Sequence, residues 1–260
     1  MSIELKCCDN LKLMETIEDN TVDLIYCDIL YGTGKKFKDY QDLKPKRDII
    51  EEHYIPRIKE MHRILKDTGS IYLQMDWRIS HWIRCIMDDI FSYNNFKNEL
   101  YYYNKVNKNN VKKKYSSSTD TILFYTKSNN YTFHPQYENK IAISTLKEYK
   151  YNNVEELVRM SRTRDYQIKG KKEIKLKNYK GKLIDNVWEI RNNKKATYDT
   201  QKPKELLEII IKASSNEGDL VADFYLGSGT TSEVCQDLNR NFIGCDINPR
   251  AVEIGLERLK

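Results

Sequence analysis

The sequence predicts an α/β protein: an open sheet with helices on both faces, interrupted by one insertion. Three observations predict it. Strand-like, helical and turn segments alternate along the chain outside residues 134–196. The run from Asp219 to Asn248 reads as an apolar strand, a glycine turn, a helix and a second apolar strand ending in an acid, which is one βαβ unit. Thr21 to Cys27 is apolar nearly throughout, as a strand buried on both faces of a parallel sheet must be.

The elements follow in order. Ile3 to Asn10 opens as a short strand and ends at Asp9-Asn10; Leu11, Met14 and Ile17 then line one side of a short helix. The strand Thr21–Cys27 runs directly into Asp28-Ile-Leu-Tyr31 and Gly32-Thr-Gly34, and a charged loop beginning at Lys35 and Lys36 follows. Arg47 to Leu65 carries Ile50, Tyr54, Ile58, Met61 and Leu65 at helical spacing, and Pro56 within it predicts a kink or a late start. Lys66-Asp-Thr-Gly69 reads as the stop, Ser70–Met75 as a strand and Ile79–Phe91 as a helix. Two further strands, Glu99–Tyr103 and Thr119–Thr126, flank a basic linker containing Lys112, Lys113 and Lys114.

From about His134 to Ala196 apolar residues thin out, Asn153 to Met160 reads as a short helix, and Val187-Trp-Glu-Ile190 returns to core character. Pro203 opens a helix at its first turn, where proline is tolerated, and Leu206, Leu207, Ile210 and Ile211 form its buried stripe. A last helix spans Pro249 to Leu259. The expected division is 1–133, 134–196 as the insert, and 197–260.

Composition sets outer bounds. The chain of 260 residues is 40% hydrophobic and 32% charged, enough for a sizeable core. No run approaches the roughly 20 apolar residues of a membrane span, and Met1-Ser-Ile-Glu-Leu-Lys lacks the pattern of a signal peptide. The six cysteines show no paired Cys-x-x-Cys spacing, and four lie in apolar or strand-like surroundings. Free buried thiols, a reducing cytoplasm and no metal site are the expectation. His53, His62, His81 and His134 likewise lack metal-ligand spacing. Within a net charge of +6, residues 104–195 are strongly basic and the remainder is net acidic. That asymmetry is either one face built for a polyanion or a lysine-rich solvated surface.

The glycine turn carries the chemistry. Gly227 and Gly229 can adopt backbone angles a Cβ disfavours and let a ligand approach the main chain. Thr230 and Thr231 open a helix whose free N–H groups face that ligand, and Asp246 ends the next strand where ribose hydroxyls bind in such units. The string Asp223-Phe-Tyr-Leu-Gly-Ser-Gly-Thr-Thr231 resembles the AdoMet-binding pattern Asp-Pro-Phe-x-Gly-Ser-Gly-Thr-Thr of the DNA amino-methyltransferases, with Phe224 and Tyr225 in place of Pro and Phe. Asp28-Ile-Leu-Tyr31 stands where that family carries Asp/Asn/Ser-Pro-Pro-Tyr/Phe/Trp, so Ile29 and Leu30 replace both prolines. Thr200-Gln-Lys-Pro203 is a further shared string. The order is catalytic motif, insert, cofactor motif, the β arrangement of the family.

The resemblance implies an AdoMet-dependent methyltransferase (Rossmann-like) fold with a mixed seven-stranded sheet and a target-recognition insert. It implies S-adenosyl-L-methionine as cofactor, bound by Asp9, Asp28, Thr200, Lys202, Pro203, Asp223, Phe224, Tyr225, Gly227, Ser228, Gly229, Thr230, Thr231 and Asp246. Asp9 reads either as an adenine contact or as a plain helix cap. The implied reaction is methylation of the N6 amino group of adenine in double-stranded DNA within a restriction–modification system. Cytosine-N4 methylation and a catalytically impaired DNA-binding relative are the alternatives. Asp28 and the carbonyl of Ile29 would accept hydrogen bonds from the amine, Tyr31 would stack on the flipped base, and no metal is needed. Lys35, Lys36, Lys112, Lys113, Lys114, Arg162 and Arg164 are the expected DNA contacts. A homodimer and a cognate restriction endonuclease are the other implied partners.

Overall fold

The computed structural model describes residues 1–37, 41–103, 112–113, 115–138, 182–190 and 201–260. Lys114, Arg162, Arg164 and Thr200, and the helix expected over Asn153–Met160, lie outside the described residues. The chain divides into two compact units, one of Met1–His134 with Asn186–Lys260 and one of Pro135–Asp185. In the second, β6 (Tyr137–Glu138) pairs antiparallel with β7 (Lys182–Leu183).

The first unit is built on β1 (Ile3–Cys7), β2 (Val22–Asp28), β3 (Leu65–Met75), β4 (Phe96–Tyr103), β5 (Thr119–Thr126), β8 (Val187–Glu189), β9 (Leu220–Asp223) and β10 (Asn241–Asp246). Their order in the sheet is β1-β10-β9-β2-β3-β5-β4-β8. Only β5 runs against the rest, pairing antiparallel with both β3 and β4. Among the described residues the sheet therefore has eight strands rather than the expected seven. The extra one is β8, which pairs parallel with the edge strand β4 and seats Trp188 in the interior.

Helices cover the sheet because each presents one apolar stripe. They are α1 (Asn10–Met14), α2 (Arg47–Ile64), α3 (Ser80–Phe91), α4 (Lys204–Ser214), α5 (Thr230–Asp237) and α6 (Pro249–Arg258). In α2, Ile50, Tyr54, Ile58, Met61 and Ile64 are buried. The helix begins at Arg47 and continues through Pro56, so no late start occurs. Pro56 removes one N–H donor, a defect of about 3 kcal/mol or more in an isolated helix, and the buried stripe on both sides holds the two halves to the sheet. Likewise Lys66–Gly69 is not a stop but the irregular entry to β3: the register with β2 shifts between Val22 and Leu24. Lys66 binds Asp23 there at 2.8 Å, and Asp23 also accepts from the Leu220 amide.

Pro203 is the N-cap of α4 rather than a residue of its first turn. Cys27, Cys235 and Cys245 are free and buried; Cys8 is half-buried, and Cys7 and Cys85 are exposed, so three thiols rather than four are interior. Among the described residues no helix is long and apolar enough to cross a membrane.

Candidate active site

Strand pairing brings the two motifs together. β2 and β9 are parallel neighbours, with Leu24 opposite Val221 and Ile25 opposite Ala222. Asp28 and Asp223 therefore emerge side by side at the carboxyl edge, where open α/β sheets hold ligands. β10 brings Asp246 to the same edge beyond β9, and β1 leads to Asp9 beyond that. One cavity of about 860 Å³ is lined by Asp9, Asp28, Ile29, Tyr31, Lys202, Asp223, Phe224, Tyr225, Gly227, Ser228, Thr230, Thr231 and Asp246. Gly229 and Pro203 are not among its walls.

The two glycines do different work. Gly227 has φ +53 and lines the cavity, and a Cβ there would meet only the Tyr225 carbonyl oxygen, at 3.9 Å. Gly229 has φ +73, caps α5, and sits where a Cβ would lie 2.6 Å from the Gly255 Cα of α6. Gly227 thus leaves the main chain open to the cavity, whereas Gly229 serves the packing of α5 against α6.

The acids along the edge are held by the turn itself. Asp223 accepts from the Thr231 hydroxyl at 2.6 Å and the Tyr225 amide at 3.0 Å. Burial nevertheless pushes its carboxyl up to about 7, with Asp28 and Asp246 adding to the push. A carboxylate so desolvated gains most from an incoming cation. Asp246 accepts from the Gly227 and Asn248 amides, each at 2.9 Å, and burial raises its carboxyl too. Asp9 caps α1 through the Leu11 amide and pairs with Arg57 at 3.1 Å, so the helix-cap role is present while the residue also lines the cavity.

At the other end of the cavity, Asp28 forms an ion pair with Lys202 Nζ at 2.5 Å. Burial raises the Asp28 carboxyl and Lys202 opposes that rise. The Tyr31 hydroxyl lies 3.0 Å from Asp28 Oδ1 and 2.7 Å from Asp120 Oδ2. Lys202 also stands 5.2 Å from the centre of the Tyr31 ring. Lys202, expected only as a wall of the cofactor pocket, is thus the counter-ion of Asp28.

The segment after Asp28 lacks prolines but is pinned in their absence. The Ile29 amide donates to the Gln74 carbonyl, and the buried Tyr54 hydroxyl donates to the Leu30 carbonyl at 3.1 Å. The Asp42 carboxylate, 2% exposed, accepts from the Gly32 amide, the Thr33 amide and hydroxyl, and its neighbour Leu43. Rigidity that proline would supply by covalent restriction comes here from satisfied hydrogen bonds.

Other residues of the cavity were not legible in the motifs. Asn10 donates to the Phe224 carbonyl and accepts from Arg57. His53 meets the Tyr225 hydroxyl at 3.2 Å, and its imidazole is lowered to about 4 by burial and by Arg57, so the ring is neutral near pH 7. Asp120 enters because β5 is antiparallel, which puts its first residues at the carboxyl edge of its neighbours. Lys35, Lys36, Lys112 and Lys113 are exposed.

The sequence profile of the DNA methylase family matches residues 22–257. The type II methyltransferase M.HpaI of Haemophilus parainfluenzae is 33% identical over 265 residues, covering 100% of this chain and 74% of its own length. The DNA adenine methyltransferase YhdJ of Escherichia coli (strain K12) is 32% identical over 257 residues, covering 96% of this chain and 80% of its own. Among solved structures, the PvuII DNA methyltransferase (cytosine-N4-specific) superposes with a TM-score of 0.70 at 15% identity, covering 100% of this chain and 87% of that one, which shows the fold. With the profile matching residues 22–257 and two relatives above 30% identity aligned over 96–100% of this chain, it belongs to the DNA amino-methyltransferase family, the N6/N4 DNA methylases.

Proposed function

We propose that the protein transfers a methyl group from S-adenosyl-L-methionine to the N6 amino group of adenine in duplex DNA, as the protective half of a restriction–modification pair. The observation that carries this reading is the shared cavity: a half-buried carboxylate beside an aromatic ring at one strand end, and a bare-backbone turn with three acids along the adjoining strand ends.

The fit to the cofactor rests on that turn. Asp223 would hold the α-ammonium group, the cation its desolvated carboxyl lacks; Asp246 would take the ribose hydroxyls, and Asp9 the adenine edge. Gly227 leaves the main chain open, and Ser228, Thr230 and Thr231 line the same wall. When bound, AdoMet supplies an electrophilic methyl group on its sulfonium.

The residues at positions 28–31 act on the base. An exocyclic amine is a poor nucleophile because its lone pair is delocalised into the ring. Two acceptors, the Asp28 carboxylate and the Ile29 carbonyl, draw its hydrogens out of the ring plane and free the lone pair. The negative charge of Asp28 stabilises the positive charge that develops on nitrogen. Lys202 opposes the rise that burial imposes on the Asp28 carboxyl. Flipping the base costs a few kcal/mol, and stacking on the Tyr31 ring returns part of it. The Ile29 amide on the Gln74 carbonyl and the Tyr54 hydroxyl on the Leu30 carbonyl hold the backbone on either side of the Ile29 carbonyl, and geometry of this kind supplies much of the rate.

Residues 134–196 would read the DNA sequence, and the exposed Lys35, Lys36, Lys112 and Lys113 would meet phosphates. An acid at position 28 supports adenine as the target, as does the likeness to a relative named for adenine methylation. The type II name of M.HpaI supports the restriction–modification setting, with an endonuclease as the partner. The test is incubation with tritiated AdoMet and DNA from a methylation-deficient host, followed by hydrolysis to nucleosides. Label in N6-methyladenine is expected; label in N4-methylcytosine moves the target, and no label removes the activity.

A further inference from the structure

The Tyr31 hydroxyl sits between two carboxylates, and a base-stacking role uses only its ring. It is 3.0 Å from Asp28 Oδ1 and 2.7 Å from Asp120 Oδ2. The far carboxylate is deliberately oriented. Gln74 Nε2 donates to the same Asp120 oxygen at 2.9 Å, and Gln74 is itself fixed by the Tyr26 hydroxyl at 2.8 Å on its Oε1. Gln74 and Tyr26 are 0% and 1% exposed. Two buried residues that touch no reacting atom thus aim Asp120 at Tyr31. Asp120 lines the same cavity and, like Asp28, is partly exposed.

We propose that Asp120 is the terminal acceptor of the proton lost by the target amine, delivered from Asp28 through the Tyr31 hydroxyl. This rests on the amino-methylation reading above. The proton balance is closed. The amine nitrogen gains a methyl carbon and keeps both hydrogens, becoming cationic. One N–H bond then breaks and its proton passes to the Asp28 carboxylate. The Tyr31 O–H breaks toward Asp120 Oδ2 while the Tyr31 oxygen takes the proton from Asp28. One proton has moved from the amine to Asp120, Asp28 and Tyr31 are restored, and no redox partner is required. The direction follows from the charges. The Lys202 ammonium beside Asp28 opposes the rise that burial imposes on its carboxyl and so favours return of Asp28 to its anion once the proton has moved on. Asp120 discharges to solvent.

The test uses Asp120→Asn, which keeps an acceptor for Tyr31 and Gln74 but cannot take a proton, and Tyr31→Phe, which keeps the ring and removes the hydroxyl. Methyl transfer is followed under single-turnover conditions with tritiated AdoMet and DNA from a methylation-deficient host. Each variant should lose roughly 10²-fold in rate, the low end of acid–base contributions, with AdoMet affinity within twofold of wild type. Because the groups act in series, the double variant should be no slower than the slower single. Added imidazole buffer should restore rate to Asp120→Asn and leave wild type unchanged. An unchanged rate in Asp120→Asn, losses that multiply in the double variant, or no response to buffer overturns the relay. Absence of transfer by the wild-type protein would instead remove the underlying reaction, so the two failures are distinguishable.

Discussion

Asp223 gives the sharpest quantitative prediction. Burial lifts its carboxyl from 3.8 to about 7, which corresponds to about 4 kcal/mol against its charged form, as an order of magnitude. The folded pKa lies above the unfolded one, so the native state binds more protons in that interval. The ligand-free protein therefore loses stability from this group as pH rises from about 4 to about 7. An ammonium group placed against Asp223 reverses the sign, because it binds only the ionised form. At pH 6 about a tenth of Asp223 is ionised, so AdoMet affinity should weaken about tenfold per pH unit below 7 and level off above it. Asp223→Asn is nearly isosteric and keeps an acceptor for Thr231. It should bind AdoMet about 10- to 100-fold more weakly at pH 7.5, the worth of one charge-assisted hydrogen bond, and should flatten the pH slope. Without ligand at pH 7.5 it should melt higher than wild type. Calorimetric titration at fixed ionic strength from pH 5.5 to 7.5 reads the slope. A wild-type affinity indifferent to pH, or an Asn variant with the wild-type slope, would refute the assignment of Asp223 to the ammonium.

Gly229→Ala should cost about 2–5 kcal/mol in urea unfolding, from left-handed strain plus a backbone clash with Gly255. Gly227→Ala should cost only about 1–2 kcal/mol, from strain alone, and lose AdoMet affinity disproportionately; equal unfolding midpoints would contradict the division of labour. Asp42→Ala leaves the buried amide of Gly32 and the half-buried amides of Thr33 and Leu43 without their acceptor, so about 2–4 kcal/mol of stability should go. Methyl transfer should fall with it while AdoMet affinity holds. Lys202→Met removes the cation from a largely buried pair. The Asp28 carboxyl should rise further, and single-turnover transfer should need a higher pH to reach its plateau; an unshifted profile would show that Lys202 does not tune Asp28.

Most of the first unit was legible because its signals are local. The stripe of α4, the apolar run of β2 and the turn at Gly227–Gly229 are each written in a few adjacent residues. The side-by-side placement of Asp28 and Asp223 was also legible, through the motifs at their strand ends. What the local sequence does not disclose depends on pairing between distant segments. Asp120 reaches the cavity only because β5 runs antiparallel, and Gln74 because it is the register partner of Asp28. Asp42 and Tyr54 stand in for missing prolines from a loop and a helix whose sequences name no such task. The path of α2 through Pro56 shows tertiary burial overriding a local breaker.

The most direct measurement compares AdoMet binding and methyl transfer in Asp28→Ala. The carboxylate lies in the same cavity as the glycine turn but on a different strand, and it accepts from Lys202 and Tyr31 rather than from the turn. AdoMet affinity should stay within a few-fold of wild type while transfer to DNA disappears. Transfer that persists, or affinity that vanishes with it in a folded protein, would contradict the placement of the amine at Asp28.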